Sequence, residues 1–345
     1  MVPEKQFLVS CSRECLEEWC VKRGFPKFRS DQIFRHIHER LALSLEKMNN
    51  LPKDLKAALQ EDFYAPSSRI DAVAGSADEV EKLRLELFDK EMIEVAVIPM
   101  NEKRTLCLST QVGCPVGCRF CASGANGLVR NLKCGEIIEE FLYGCSRIGA
   151  KCDNIVFMGI GEGLLNTAEL FPALEKLTCD FGMSPRRITV STSGYIPGME
   201  KFAELKKEYN LAISLHAPDD KTRAKLIPDK LRYNVQDILA AADNWSSSSG
   251  RQYTLEYTLV AGINDTLEHA EALGKLAYRH HAKINLIPYN ETSSSFKRPA
   301  LRDIEAFEKR VADTGARVTR RVEKGKGAAA ACGQLRSEKI KAGDK

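Results

Sequence analysis

From Thr105 onward the chain alternates short apolar runs with segments of helical length, and this alternation constrains the fold more than any other feature. Strand-like runs are read at 105–110, 154–158, 187–191, 211–215, 253–260 and 283–288, with a last one near 316–322. A parallel strand pair needs a crossover of a dozen residues or more, usually a helix. Six β/α units in series therefore predict an α/β fold, a parallel sheet curled into an incomplete (β/α)6 barrel. Ahead of it, Val80–Phe88 and Ile93–Ile98 read as a hairpin turning at Asp89-Lys90-Glu91. Residues 9–65 read as helical. Ser12 caps a helix with Cys15, Leu16, Trp19 and Cys20 on one face and Gly24 at its end. Ser30 caps a second with Ile33, Phe34, Ile37 and Leu41 inward, and a third starts near Pro52 with Leu55 and Leu59 buried. The polar stretch 66–82 marks a boundary, and Ser246–Gly250 reads as plain loop. The expected organisation is an N-terminal helical accessory domain (1–75), a β-hairpin extension (76–104), the partial barrel (105–322) and a C-terminal tail (323–345).

The loop after the first barrel strand reads Cys114-Pro115-Val116-Gly117-Cys118-Arg119-Phe120-Cys121. Three thiols at spacing C-x3-C-x2-C can ligate three irons of a [4Fe–4S] cubane. Iron–sulfur clusters usually take four cysteines, and structural zinc sites close with four ligands. A fourth iron without a thiolate is an open position, which the amino and carboxylate groups of S-adenosylmethionine (SAM) can fill. One electron passed to the sulfonium then releases a 5′-deoxyadenosyl radical. The alternative is a zinc site completed by another of the twelve cysteines. The spacing, the Phe120-Cys121 pair and the preceding strand favour the radical-SAM pattern. Cys11, Cys15 and Cys20 match no common ligand spacing and are read as core or surface thiols.

Active-site residues of a βα barrel lie at the C-terminal ends of its strands. Gly159-Ile160-Gly161-Glu162, Ser191-Thr192-Ser193-Gly194, Ser214-Leu215-His216 and Pro288-Tyr289-Asn290 each follow a predicted strand. Together they predict a SAM pocket, with glycines admitting the ligand to the backbone and Glu162, Ser191, Ser214 and Asn290 bonding its amine, ribose or adenine. His216 reads equally well as a pocket residue or as a packing histidine.

Composition bounds the setting. The chain has 345 residues, 43% apolar and 28% charged, with no run long enough to span a membrane, so no membrane partner is expected. Twelve cysteines, with no apolar signal core after Met1, point to the reducing cytoplasm. A net charge of +4 does not identify a nucleic-acid binder. The basic residues Lys22, Arg23, Lys27, Arg29 and Arg35 suggest that residues 1–75 grip RNA rather than do chemistry, and the stretch from Arg317 to Lys345 is also basic.

Two further cysteines narrow the chemistry: Cys107 on the first barrel strand and Cys332 in Ala330-Ala331-Cys332-Gly333-Gln334-Leu335. With these the chain resembles the radical-SAM RNA methylases that methylate adenine carbons, nearest to the dual-specificity ribosomal and transfer RNA adenine-C2 branch. Matching stretches run from Gly24–Ile33 through Thr110–Cys114, Ser191–Gly194, Ser214–Pro218 and Lys283–Pro288 to the tail. The resemblance implies Cys114, Cys118 and Cys121 on the cluster, and Gly161, Glu162, Ser191, Ser214, Leu215, His216 and Asn290 around SAM. It implies Cys332 as methyl carrier, Cys107 as the thiol that resolves the protein–RNA adduct through a disulfide, and Glu94 as the conventional proton acceptor, although either Glu94 or Cys107 could take the C2 proton. It further implies two SAM per turnover and, as substrates, 23S rRNA at the peptidyl-transferase centre and the tRNA anticodon loop. A flavodoxin or ferredoxin donor and a monomeric enzyme are implied as well. The C8 branch, which confers antibiotic resistance, shares these cysteines. A protein-modifying radical enzyme would not need the Cys107/Cys332 pair, and a plain RNA-binding module would not need a cluster. Gly163, Glu291 and Gly327-Ala328 depart from the usual pattern.

Overall fold

The computed structural model describes residues 5–76, 78–228, 231–290 and 295–321. The N-terminal part consists of β1 (Gln6–Phe7), α1 (Arg13–Lys22), α2 (Phe28–His38), α3 (Lys53–Asp62) and β2 (Phe63–Tyr64), with β1 and β2 paired in parallel. Ser12 caps α1 as expected, its hydroxyl accepting the Cys15 N–H at 3.1 Å. Ser30 does not cap α2. The helix already begins at Phe28, and the Ser30 hydroxyl donates back to the Lys27 carbonyl at 2.6 Å.

A meander follows: β3 (Arg69–Gly75), β4 (Glu81–Glu86), β5 (Met92–Met100) and β6 (Lys103–Cys107), each antiparallel to the last. β3 lies where the sequence reads as a polar boundary and an end of helical structure. It is an edge strand with most of its side chains exposed, so it carries no apolar alternation, and pairing with β4 makes it a strand. A short ribbon, β7 (Gln111–Gly113) with β8 (Leu128–Asn131), flanks the cysteine loop.

The barrel continues as α4 (Cys134–Ile148), β9 (Asn154–Phe157), α5 (Thr167–Cys179), β10 (Ile188–Thr192), α6 (Ile196–Glu204), β11 (Asn210–Ser214), α7 (Asp220–Leu226), α8 (Val235–Ser249), β12 (Thr254–Leu259), α9 (Leu267–Arg279), β13 (Lys283–Pro288), α10 (Leu301–Ala312) and β14 (Arg317–Arg320). One sheet runs β14-β13-β12-β11-β10-β9-β6-β5-β4-β3, parallel from β6 to β14 and open between its outer strands. Ser246–Ser249 form the last turn of α8 rather than a loop. Trp245 anchors that turn in the core and Gly250 ends it in the left-handed conformation.

The strands are apolar on both faces, as crossovers require. Leu170, Ala173, Leu174 and Leu177 of α5 and Ile238, Leu239, Ala242 and Trp245 of α8 pack onto them at helical spacing. Phe202 stacks on Trp245 at 6.1 Å. Each such side chain contributes on the order of 1.5–3 kcal/mol by burial. The N-terminal helices share this core. A Cβ at Gly135 of α4 would fall 2.2 Å from Phe7, and Glu139 of α4 accepts the backbone N–H groups of Ser67 and Ser68 at 2.8 and 3.0 Å. Among the described residues no helix is long and apolar enough to cross a membrane.

Candidate active site

At the C-terminal ends of the parallel strands the molecule opens into a cavity of about 920 Å³, with the open mouth included. Cys114, Cys118 and Cys121 line one side. Their loop leaves β7 through a Cys114 N–H bond to the Gly127 carbonyl (2.9 Å) and turns at Gly117, where φ is +66°. It is pinned to α7 by the Arg119 N–H on the Leu226 carbonyl (2.9 Å), while Val116 and Phe120 pack with Leu226, Ile227, Val260 and Tyr289.

The same cavity is lined by Gly159, Gly161, Glu162, Ser191, Ser214, His216 and Asn290, all predicted pocket residues. Gly161 sits at φ +112° with Gln111 so close that a Cβ would fall 2.7 Å from it, so only glycine fits this turn. That turn aims Glu162 into the cavity wall, where Oε2 accepts the Ser193 N–H at 2.6 Å and Oε1 the Leu164 N–H at 3.2 Å. Burial holds this carboxyl above the usual range, partly offset by those bonds. The Ser193 hydroxyl, also on the wall, meets no well-formed hydrogen bond among the described residues. Leu215 is placed differently from its neighbours: its side chain lies in the core and its N–H bonds the Glu256 carbonyl at 3.1 Å.

His216 is settled as a pocket residue. Its Nδ1 accepts the Thr258 N–H at 3.0 Å, which puts the ring proton on Nε2, and Phe120 meets the ring edge-on at 4.8 Å. Burial, with the Arg223 charge behind it, lowers its pKa to about 3, so the ring is neutral throughout the physiological range. Sequence reasoning missed Glu256 and Thr258, which sit inside β12 and face the cavity. Burial raises Glu256 to about 7, against the attraction of Arg321, and its Oε2 accepts from Asn285 at 2.8 Å. A glutamate between Leu255 and Tyr257 in a buried strand was the available signal.

Cys107 and Glu94 are not among the cavity-lining residues. They lie on neighbouring strands, with Cys107 directly opposite Ala96 and Glu94 two residues before Ala96, hence on the same sheet face. Cys107 packs with Val80, Ala96, Ile98 and Ile160, and Met158 of the cavity wall joins that cluster. Glu94 Oε1 is 3.0 Å from Lys82 Nζ, and both side chains are largely buried. Cys332, Glu291, Gly327 and Ala328 lie outside the described residues.

The donor set fits an iron–sulfur cluster. The three thiols line one cavity, and thiolate sulfur is the donor such a cluster takes. Burial pushes Cys114 up to about 12 and Cys118 up as well, and the loop thiols raise one another. Thiols so placed become thiolates only with a strong positive centre among them, as metal coordination supplies.

Comparison with known proteins agrees with this geometry. Residues 108–277 match the family model described as the radical SAM superfamily, and residues 7–64 match that of the ribosomal RNA large subunit methyltransferase N-terminal domain. The chain is 40% identical over 332 residues to a probable dual-specificity RNA methyltransferase RlmN of Clostridium perfringens, covering 95% of this chain and 96% of the relative. A protein of the same name from Rhodopirellula baltica is 39% identical, covering 97% and 91%. The crystal structure of a radical SAM methyltransferase from Sphaerobacter thermophilus superposes with a TM-score of 0.92 at 35% identity, covering 96% of this chain and all of that one. A radical SAM protein works with a [4Fe–4S] cluster and SAM, and the N-terminal match adds RNA as substrate. Barrel, cavity and accessory domain thus agree, and the chain belongs to the RlmN-type family of radical SAM RNA methyltransferases.

Proposed function

We propose that the enzyme methylates C2 of adenine in 23S rRNA and in tRNA. The observation that carries this reading is the placement of Cys107 and Glu94 on one face of adjoining strands, joined through Met158 to a cavity that presents three thiols and Glu162. Adenine C2 is electron-poor and offers no lone pair to an electrophilic methyl, so the carbon must be attacked by a radical. Cys114, Cys118 and Cys121 would hold the cluster, which when bound would supply the one-electron chemistry that turns SAM into a deoxyadenosyl radical. Glu162 receives the SAM ammonium, Ser191, Ser214 and Asn290 meet its remaining polar groups, and neutral His216 offers its Nε2–H. Cys332, methylated on sulfur by a first SAM, would lose one hydrogen atom of that methyl to the deoxyadenosyl radical, and the resulting methylene would bond to C2. Glu94, an ion pair with Lys82 at its side, would take the C2 proton, the odd electron of the adduct returning to the electron-transfer centre. Cys107 would then attack the Cys332 sulfur, forming a disulfide as the sulfur–carbon bond breaks and the released carbon takes a proton to become the methyl group; an external thiol would reduce the disulfide for the next turnover. The enzyme draws electrons from a flavodoxin or ferredoxin and acts as a monomer in the cytoplasm.

Mass spectrometry of ribosomal and transfer RNA from a deletion strain, with and without the gene restored, tests the target. Restored 2-methyladenosine is expected in both RNAs, and 8-methyladenosine in its place would overturn the C2 assignment. For the thiols, Cys107→Ala should accumulate protein joined to RNA by a bond that reducing agents leave intact and ribonuclease shortens, while Cys332→Ala should form none. Normal turnover by Cys107→Ala would remove that thiol from the reaction.

A further inference from the structure

Behind the cavity, in α7, Arg223 is fully buried. Its guanidinium is committed on three sides to backbone carbonyls. Nε donates to Leu215 O at 3.2 Å, Nη1 to Tyr233 O at 3.2 Å, and Nη2 to Ser193 O. Ser193 begins the loop after β10, and Leu215 begins the loop after β11, so one side chain clasps two walls of the pocket. The same short helix holds the cysteine loop through its Leu226 carbonyl. A buried guanidinium normally sits against a carboxylate, because removing a cation from water costs several kcal/mol unless it is compensated. Here the immediate partners are neutral carbonyl dipoles. The charges that act on Arg223 from further off are Cys118, Asp220 and Glu162 as attractors and Arg232 as a like charge. Burial lowers its pKa to about 10, which leaves it cationic at neutral pH.

We propose that Arg223 is a positioning and charge-compensating residue of the cofactor pocket. Its fork fixes the Ser193 and Leu215 backbones that shape the SAM wall, and its charge, on the same short helix whose Leu226 carbonyl holds the Arg119 N–H next to Cys118, eases one-electron reduction of a cluster held by that loop. The proposal rests on the reading that Cys114, Cys118 and Cys121 hold the cluster. A cluster's potential follows its net charge and surroundings, so a fixed cation nearby favours the reduced form.

Two variants separate charge from geometry. Arg223→Gln removes the charge, and Arg223→Lys keeps the charge but loses the planar fork. After anaerobic reconstitution, the midpoint potential, followed by electron paramagnetic resonance, should move to more negative values in Arg223→Gln and stay close to the parent in Arg223→Lys. SAM affinity by equilibrium dialysis should fall roughly tenfold in both, since each loses carbonyl contacts. An unchanged potential in cluster-loaded Arg223→Gln would overturn the charge role, and unchanged SAM affinity in Arg223→Lys would overturn the clasp. If neither variant retains a cooperative unfolding transition as apo-protein, Arg223 is a folding residue only and the proposal fails. Cys118→Ala, prepared alongside, should lose iron. If it kept a full cluster, the ligand reading would fall, whatever Arg223 does.

Discussion

A carboxylate four per cent exposed, bonded to two backbone N–H groups and facing three thiols, is in an environment made for a cation that arrives with the ligand. Glu162 is that group, and in the proposed function the SAM ammonium is its partner. Because burial raises its pKa, ionisation is completed at a higher pH than for an ordinary glutamate. SAM binding should therefore weaken on acidification while ordinary carboxylates are still ionised, and Glu162→Gln should abolish that dependence. The variant should bind SAM about ten- to a hundredfold more weakly, the scale of a lost charge-assisted bond, and retain its iron. Equal SAM affinity in parent and variant across pH would take Glu162 out of the binding site. His216 should add no titration to such curves between about pH 5 and 8, since its value lies near 3. At this scale the sequence was legible where function sits in a short motif: the cysteine loop and the Gly161-Glu162 turn announce themselves by spacing. Glu256, Thr258 and Arg223 did not, because β12 and α7 reach the cavity only once the sheet has curled.

Among the elements, α4 stands out for burying three glutamates, each with its own task. Glu136 pairs with Arg130 and receives the Lys133 N–H at 2.8 Å at the helix start. Glu140 accepts the Ser109 N–H at 2.7 Å beside the first barrel strand. Glu139 takes the Ser67 and Ser68 N–H groups and their hydroxyls, tying the segment before β3 to the barrel. Burial outweighs those bonds and raises Glu139 to about 7, with Glu256 at a similar value. In the unfolded chain both return to the ordinary carboxylate value, so between about pH 4.5 and 7 the folded state holds more protons. Stability from these groups is then complete in acid and declines as pH rises through 7. Each contributes at most about 3 kcal/mol to that fall. Urea midpoints taken from pH 5 to 8 should drift downward, and Glu139→Gln should flatten the slope; an unaltered slope would show that Glu139 ionises freely in the fold. The strands whose apolar runs span a buried layer were readable to within three residues, the largest miss being the first barrel strand, read to 110 and ending at Cys107. β3 was not, because an exposed edge strand is defined by its partner, and the Ser246–Ser249 turn was hidden by residues that favour loops until Trp245 commits α8 to the core.

On the scale of the whole molecule, the N-terminal helices are part of the barrel's packing rather than a detachable module. Phe7 lies against Gly135, His38 stacks between Phe34 at 3.9 Å and Phe181 at 4.6 Å, and β3 closes one edge of the long sheet. Deleting residues 1–75 would strip β3 from β4 and bare the apolar face of α4, so the truncated chain should be poorly soluble and lack a sharp unfolding transition. The proposed role of the accessory helices in holding RNA is better tested in the full chain. Arg23 is engaged with Asp62, Lys27 with Glu17, and half-buried Arg29 with Gln32 and the Phe28 ring, which leaves, of the five, exposed Lys22 and Arg35, the latter loosely paired with Glu39 at 4.0 Å, as cations for a phosphate backbone. Lys22→Glu/Arg35→Glu should keep the parent's unfolding midpoint, cluster content and RNA-free SAM cleavage. RNA affinity should drop, with a shallower dependence on salt, because each phosphate contact removed takes about one unit from the slope of log affinity against log salt. Both sets of curves can be measured by filter binding at 50–200 mM salt, a range over which such contacts are strongly weakened. Superimposed curves would place the RNA surface elsewhere on the molecule and leave the accessory helices a purely structural part.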